Sequence, residues 1–416
     1  MNQDQVLIVG AGLAGLNCGI NLQRQGIPAL ILEASDQVGG RVRTDQVDGF
    51  LCDRGFQILL TEYPEAQLAL DYPSLQLKPF EAGALVRFQG KFHPFVDPFR
   101  QPGQWWQALT SPVASLMDKW RILKLRRQVS RGTVDDLLEQ PEITTLQRIH
   151  SFHFTPQFIE RFFKPFLGGV FLEPNLETSS RLFDFLFRKF CNRKAVLPAE
   201  GMGQIPQQLA SQFTEHSLRL NTKVLKVEKN QVQLESGERL QGRAVVLATE
   251  HSDARAIIGE NNEPAQKSNS VCCLYFAADQ PPISQPILVL NGEPNGPINN
   301  LCVPSQVAPG YAPPGQSLVS VTTLELDPDP ENLLRNVKRQ LQDWFGEQVA
   351  GWRHLKTYSI PAATPRQTPG LLEPVQKTPR NPNGVFLAGD YRNLASIQGA
   401  LASGRQVAAA IAGNPE

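Results

Sequence analysis

The N-terminal stretch leaves little choice of fold. Val6-Leu-Ile-Val9 runs into Gly10-Ala-Gly12-Leu-Ala-Gly15, then a helical stretch, then Ala29-Leu-Ile-Leu32 and Glu33. Strand, tight glycine turn, helix, strand and terminal acid stand in the order and spacing of a dinucleotide-binding fingerprint. Gly10 permits the turn, Gly12 lets backbone approach a pyrophosphate, and Gly15 lets helix pack on strand. The first helical turn, at Ala14, then offers unpaired N–H groups and a positive dipole end to phosphates. Glu33, about 20 residues on, is placed to accept hydrogen bonds from ribose hydroxyls.

Just downstream, Gly39-Gly40-Arg41 follows the acid, and Arg41 is suited to a charge-assisted contact with the pyrophosphate. The run from Glu33 to Thr44 resembles the flavoprotein superfamily of amine oxidases, protoporphyrinogen oxidases and carotenoid desaturases. The resemblance implies that Gly40 and Arg41 border the pyrophosphate of FAD. Near the other end, Ala388-Gly389-Asp390 is similar to the family's second flavin motif. It implies that Asp390 bonds the ribityl chain and that Ser396, Ile397 and Ala400 open a helix against the flavin's pyrimidine edge. A helix N-terminus there would stabilise negative charge on the reduced ring. The backbone at Val224 is implied to pair with adenine. Ala34, Gly55 and Phe56 complete the expected cofactor-binding set, with FAD as the cofactor and no metal.

At 416 residues the chain can hold two domains with full cores. Forty basic and forty acidic residues cancel, so the global field gives no reason to expect nucleic acid as partner. No apolar run reaches the roughly 18–20 residues of a membrane span. The first strand begins by Val6, which leaves no room for a secretory signal. Six scattered cysteines without a CxxC pair read as reduced thiols, so a cytoplasmic compartment is expected, with a peripheral membrane contact left open.

The fold expected is α/β, a Rossmann-like FAD-binding domain of the glutathione-reductase-like, amine oxidase type, carrying an inserted α+β substrate domain. Residues 1–78, 196–262 and 362–416 would form the discontinuous FAD-binding domain. Residues 79–195 and 263–361 would form the substrate domain, the sheet of 263–361 one wall of the site and the helices of 79–195 the other. Arg243-Ala-Val-Val-Leu-Ala-Thr249 reads as a buried parallel strand, and Ser317–Thr323 as an alternating one.

Half of the chain's 22 phenylalanines lie between 152 and 190. Thr155-Pro156 reads as a helix cap, after which Phe158, Phe162 and Phe166 recur every fourth residue, with Phe154 before them. Two readings stand, core packing and the lining of an apolar tunnel. Similarly, Leu116–Arg127 with Trp105-Trp106 upstream is either a solvated cationic helix or a docking face for anionic membrane. His150 and His153 lack further ligands at metal spacing and read as structural.

Family amine oxidases commonly place a lysine on the strand that enters the second insertion, where this chain has Cys272 or a neighbour and no lysine between Lys267 and Lys338. They also tend to carry an aromatic where this chain has Ser396. The run from Ala388 to Gly404 looks most like plant and cyanobacterial-type carotenoid desaturases. The implied chemistry is removal of hydride from an apolar small-molecule substrate, with oxygen or a quinone as electron acceptor and no identifiable catalytic side chain. Alternatives are a flavin-dependent isomerase without net oxidation, an amine oxidase, and a non-catalytic pigment- or lipid-binding flavoprotein. Oligomeric state is not legible.

Overall fold

A computed structural model describes residues 4–192, 194–259 and 266–413. The expected domain boundary at 262/263 lies outside the described residues. Three separate stretches of chain build one five-stranded parallel sheet, in the order Leu218–Arg219, Ala29–Leu32, Val6–Val9, Ala244–Leu247, Phe386–Leu387. Val6 pairs with Ala29 on one side and Ala244 on the other. All residues of the three central strands are buried, as continuous β-branched and leucine runs require of a parallel sheet covered on both faces.

The two faces have different covers. Val6, Ile8 and Ile31 point into the large core formed with the helices Leu13–Arg24 and Ile397–Ala412. Leu7, Val9, Leu30 and Leu32 point the other way, onto an antiparallel sheet of Val224–Glu228, Gln231–Leu234 and Arg239–Gln241. The N- and C-terminal helices touch closely. A methyl group at Gly404 would lie 2.2 Å from the Ala14 carbonyl oxygen, and Asn17 Nδ2 donates to Leu401 O at 2.7 Å.

A second sheet has seven strands, ordered Arg353–Pro365, Ser268–Ala278, Ser317–Thr323, Asn300–Cys302, Leu288–Asn291, Gly83–Phe88, Lys91–Val96. The last two come from the region expected to supply only helices, and Gly83–Phe88 joins Leu288–Asn291 in parallel. The wall is therefore a joint product of both insertions. Arg353–Pro365 also runs unbroken through position 361/362, where a domain boundary was expected. Ser317–Thr323 is buried at all seven positions. Leu318, Ser320 and Thr322 face the side of Tyr275, while the amphipathic helix Pro330–Phe345 covers Val319 and Val321 with Leu333, Val337 and Leu341.

Helices of the first insertion stand over the open side of this sheet. Ser115, Thr133 and Thr144 each form a capping box with the residue three positions on, which starts Leu116–Val129, Val134–Leu138 and Thr145–Ser151. Thr155 caps Pro156–Phe158 as its sequence suggests, but the helix then widens into i→i+5 turns over Ile159–Phe163 before resuming at Lys164–Phe171. All six cysteines are free thiols.

Candidate functional site

A single cavity of about 1640 Å³ runs from the glycine fingerprint to the phenylalanine-rich helices. Its wall includes Gly10, Gly12, Ala14, Glu33, Ala34, Gly40, Arg41, Gly55, Phe56, Val224, Gly389, Asp390, Ser396, Ile397 and Ala400. Of the sixteen residues expected to hold a cofactor, Gly15 alone stands behind the wall. Its place there has a steric reason. A Cβ at Gly15 would lie 2.1 Å from the Gly10 carbonyl oxygen, and Gly10 itself turns at φ +101°. Gly12 has no protein atom within 4 Å of where a Cβ would sit, so its face is left to something other than protein. Gly12 also heads the helix Leu13–Arg24 without a side-chain cap and with no acid in the first turn. Its leading N–H groups are thus free to meet phosphate oxygens.

Glu33 and Arg41 are engaged otherwise than their types alone suggest. The Glu33 carboxylate accepts from Ala11 N–H at 2.7 Å and from the N–H and hydroxyl of Ser35 at 2.9 and 2.7 Å. These bonds orient it across the turn while its remaining lone pairs face the cavity. Arg41 donates to Asp390 at 2.6 Å and to the Ala363 carbonyl at 2.8 Å. Burial works to lower its pKa, and the Asp390 carboxylate outweighs that and raises it. Two residues expected to touch different parts of a dinucleotide are therefore locked together, across 349 positions of sequence. At the C-terminal end, Ser396 caps Ile397–Ala412 by accepting from Gly399 N–H at 3.1 Å.

The phenylalanine face divides between the two readings. Phe154 and Phe158 are buried core, whereas Phe162 and Phe166 line the cavity with Phe187 and Phe190. Phe158, Phe162 and Phe166 stack in a row with centroids 5.4 Å apart, and the widened turn keeps their four-residue spacing in line.

A polar cluster in the same wall was not anticipated. Asp45 accepts from Arg54 at 3.0 Å, Lys356 at 3.0 Å and the Tyr358 hydroxyl at 2.7 Å. Burial pushes its carboxyl up, but the bonds from Arg54, Tyr358 and Lys356 prevail and hold it well below the usual carboxylate range. Burial and the Asp45 bond push Tyr358 well above the usual tyrosine value. Lys356 matters to the branch assignment, because it brings a lysine to the cavity from the strand paired beside Tyr275, not from the Cys272 position. Its partners lie 9 to 313 residues from Asp45, so no local sequence signal announced the group.

Behind the cavity, Asp53 is buried without a cation. It accepts from Thr44 at 2.5 Å, Tyr311 at 2.8 Å and Met202 N–H at 3.0 Å, and its own carbonyl accepts from Tyr275 at 2.8 Å. Burial raises its pKa to about 6 against those three hydrogen bonds. The network ties the hairpin leading to Gly55 onto the seven-stranded sheet.

The profile of the flavin-containing amine oxidoreductase family matches residues 13–412. The chain belongs to that family. FAD is its cofactor, and the bare face of Gly12 and the uncapped helix beside it fit the pyrophosphate of that group. Protoporphyrinogen oxidase 2 of Arabidopsis thaliana is 28% identical over 170 residues, which is 40% of this chain and 32% of that protein. The chain thus matches about a third of that relative. In fold, an oxidoreductase from Methanosarcina mazei superposes with TM-score 0.76 at 16% identity, over 97% of this chain and 99% of that one. Cyclohexylamine oxidase from Brevibacterium oxydans gives TM-score 0.72 at 18% identity, over 99% of each chain.

Proposed function

We propose that this flavoprotein removes hydride from a C–H bond of an apolar substrate, in the manner of a desaturase or porphyrinogen oxidase. The observation that carries the reading is one unbroken cavity, with the glycine fingerprint at one end and Phe162, Phe166, Phe187 and Phe190 at the other. In it, residues 1–78, 196–262 and 362–416 would hold FAD, and the two insertions would hold the substrate. Bound FAD supplies the two-electron acceptor.

The chain's own residues do the rest. Gly12 and the helix behind it would receive the pyrophosphate of FAD, and Gly40 would keep the opposite side open. Arg41, held by Asp390, would offer its remaining N–H groups to that pyrophosphate, and Glu33 would hold the ribose. Phe56 and Gly55 would line the flavin end, and the capped N-terminus at Ser396–Ala400 would lend its positive end to the reduced ring. The phenylalanine end excludes water and orients an apolar chain or macrocycle.

Within the polar cluster of the wall, Asp45 stays ionised between two cations and Tyr358 stays protonated. Neither of these two is poised to move a proton near neutrality, in keeping with a hydride path that does not draw on them. With one dinucleotide fingerprint in the sequence, oxygen or a quinone is the acceptor we assign.

Anaerobic stopped-flow separates this from the alternatives. A polyene or porphyrinogen in detergent micelles should bleach the flavin absorbance, and oxygen or a quinone should restore it. Rapid bleaching by NADH or a primary amine, with none by apolar donors, would overturn the reading. Turnover only after pre-reduction, with no acceptor consumed, would favour isomerisation.

A further inference from the structure

The helix Leu116–Val129 has two apolar faces, only one of which is packed. Leu125 and Val129 are buried. Leu116, Met117, Trp120 and Leu123 recur at helical i, i+3 and i+4 spacing on another side and are exposed, with Lys124 and Arg127 continuing that side. The short helix Trp105–Thr110 adds to this surface. Trp105, Trp106, Leu109, Leu116, Met117 and Trp120 are all between 52% and 75% exposed. So many large apolar side chains standing together in water mark an interaction surface.

The surface is built, not frayed. Asp118, fully buried, accepts from the Ser115 hydroxyl at 2.6 Å and from Thr155 N–H and hydroxyl at 2.9 and 2.7 Å. Lys119 Nζ donates to the Leu109 and Ser111 carbonyls at 2.6 and 3.0 Å, fixing the end of the shorter helix. The two helices are thereby held in one orientation.

Charge then selects the partner. Leu116–Val129 carries Lys119, Arg121, Lys124, Arg126 and Arg127 against Asp118, in a chain whose 40 basic and 40 acidic residues cancel overall. Counting Asp97, which pairs with Arg126, three positive charges remain unmatched. Tryptophan and leucine flanked by lysine and arginine suit an anionic headgroup layer, where rings sit at the interface and cations remain among phosphates. No helix among the described residues is long and apolar enough to cross a membrane, so such contact is peripheral.

Position gives the surface a purpose. Trp105, Leu109, Leu116, Trp120 and Leu123 are exposed and also line the cavity, so the cavity opens through this patch. We propose that the 105–127 face rests on an anionic phospholipid bilayer and opens the cavity into lipid, from which substrate loads without crossing water. The loading step rests on the apolar-substrate reading above; the docking does not.

Flotation of the purified holoprotein tests it, using vesicles of phosphatidylcholine alone or with about one-third phosphatidylglycerol. The protein should rise with the anionic vesicles only, and release severalfold at ~0.5 M NaCl. The double variant Trp106→Ser/Met117→Ser, at positions outside the cavity wall, should lower the bound fraction roughly tenfold with flavin content and melting temperature unchanged. Lys124→Glu/Arg127→Glu should do about the same. Protein that stays at the bottom with anionic vesicles at low salt overturns the proposal, as does binding that ignores both double variants. A concentration-dependent dimer that Trp106→Ser/Met117→Ser dissolves, without flotation, makes the face a self-contact and also overturns it. Protein that floats but oxidises no apolar donor refutes the substrate reading and leaves the docking standing.

Discussion

Around the glycine fingerprint, backbone meets backbone, and at the far end of the same cavity side chain meets side chain. A methyl group at Gly15 would lie 2.1 Å from a carbonyl oxygen, whereas Phe162 and Phe166 stack on each other with centroids 5.4 Å apart. The first arrangement tolerates only the smallest residue, because peptide groups cannot move aside. The second admits many shapes, because rings can be exchanged for others of similar volume. This is why the cofactor end can be assigned from a motif and the substrate end cannot.

The sharpest way to break the contrast is Gly15→Val. Its side chain must displace the turn at Gly10, so we expect a loss of about 4 kcal/mol and isolation as apoprotein, read by thermal melting and flavin absorbance. Full flavin occupancy in this variant would remove the backbone argument. Next comes a pair on one helix. Phe158→Ala, in the core, should cost about 3–4 kcal/mol. Phe166→Ala, in the cavity wall, should keep its flavin and raise KM for an apolar donor roughly tenfold, costing only about 1 kcal/mol of stability. If both behave alike, the division of the phenylalanine face between core and cavity is wrong.

Asp53 sharpens the comparison through pH. Its pKa is raised by burial from an ordinary 3.8 to about 6, so the stability it lends is complete below pH 3.8 and is lost as pH climbs through about 6. The unfolded chain releases that proton first. Asp53→Asn, permanently neutral, should therefore lack this loss. The stability of wild type relative to the variant should fall by up to about 3 kcal/mol between about pH 4 and 6, in urea melts. A constant difference would mean the carboxyl titrates normally.

A smaller effect than at Asp53 is expected at Arg41. Arg41→Met leaves Asp390, only 8% exposed, without its cation. Because the Arg41 side chain is itself 38% exposed, screening should hold the cost to about 1–2 kcal/mol. Flavin affinity, followed by fluorescence titration, should fall with it. Adding Asp390→Asn should recover part of the loss, since no buried charge is then left alone.

The sequence disclosed some of this and withheld the rest for reasons that differ by residue. Gly10, Gly12, Glu33 and the strand at Ala244–Leu247 were legible because each acts within a few residues of a regular element. The capping boxes at Ser115, Thr133 and Thr144 were equally local and were passed over, though a hydroxyl followed three places on by Asp or Gln is a readable start signal. The widened turn at Ile159–Phe163 left no trace in the four-residue spacing of the phenylalanines. The strand Gly83–Phe88 was hidden in its placement because one partner, Leu288–Asn291, lies about two hundred residues away, whereas Lys91–Val96 pairs with Gly83–Phe88 in a local hairpin.

By itself the sequence pointed to the cofactor end, since pyrophosphate binding there would use peptide groups whose exposure depends on glycine spacing. It also determined that one helix would be both cationic and apolar. Only the tertiary structure decided that Asp45 meets Lys356, that Arg41 meets Asp390, and which phenylalanines face a cavity. Those outcomes depend on which distant strands come to lie side by side, and a linear pattern of residues carries no coordinate for that.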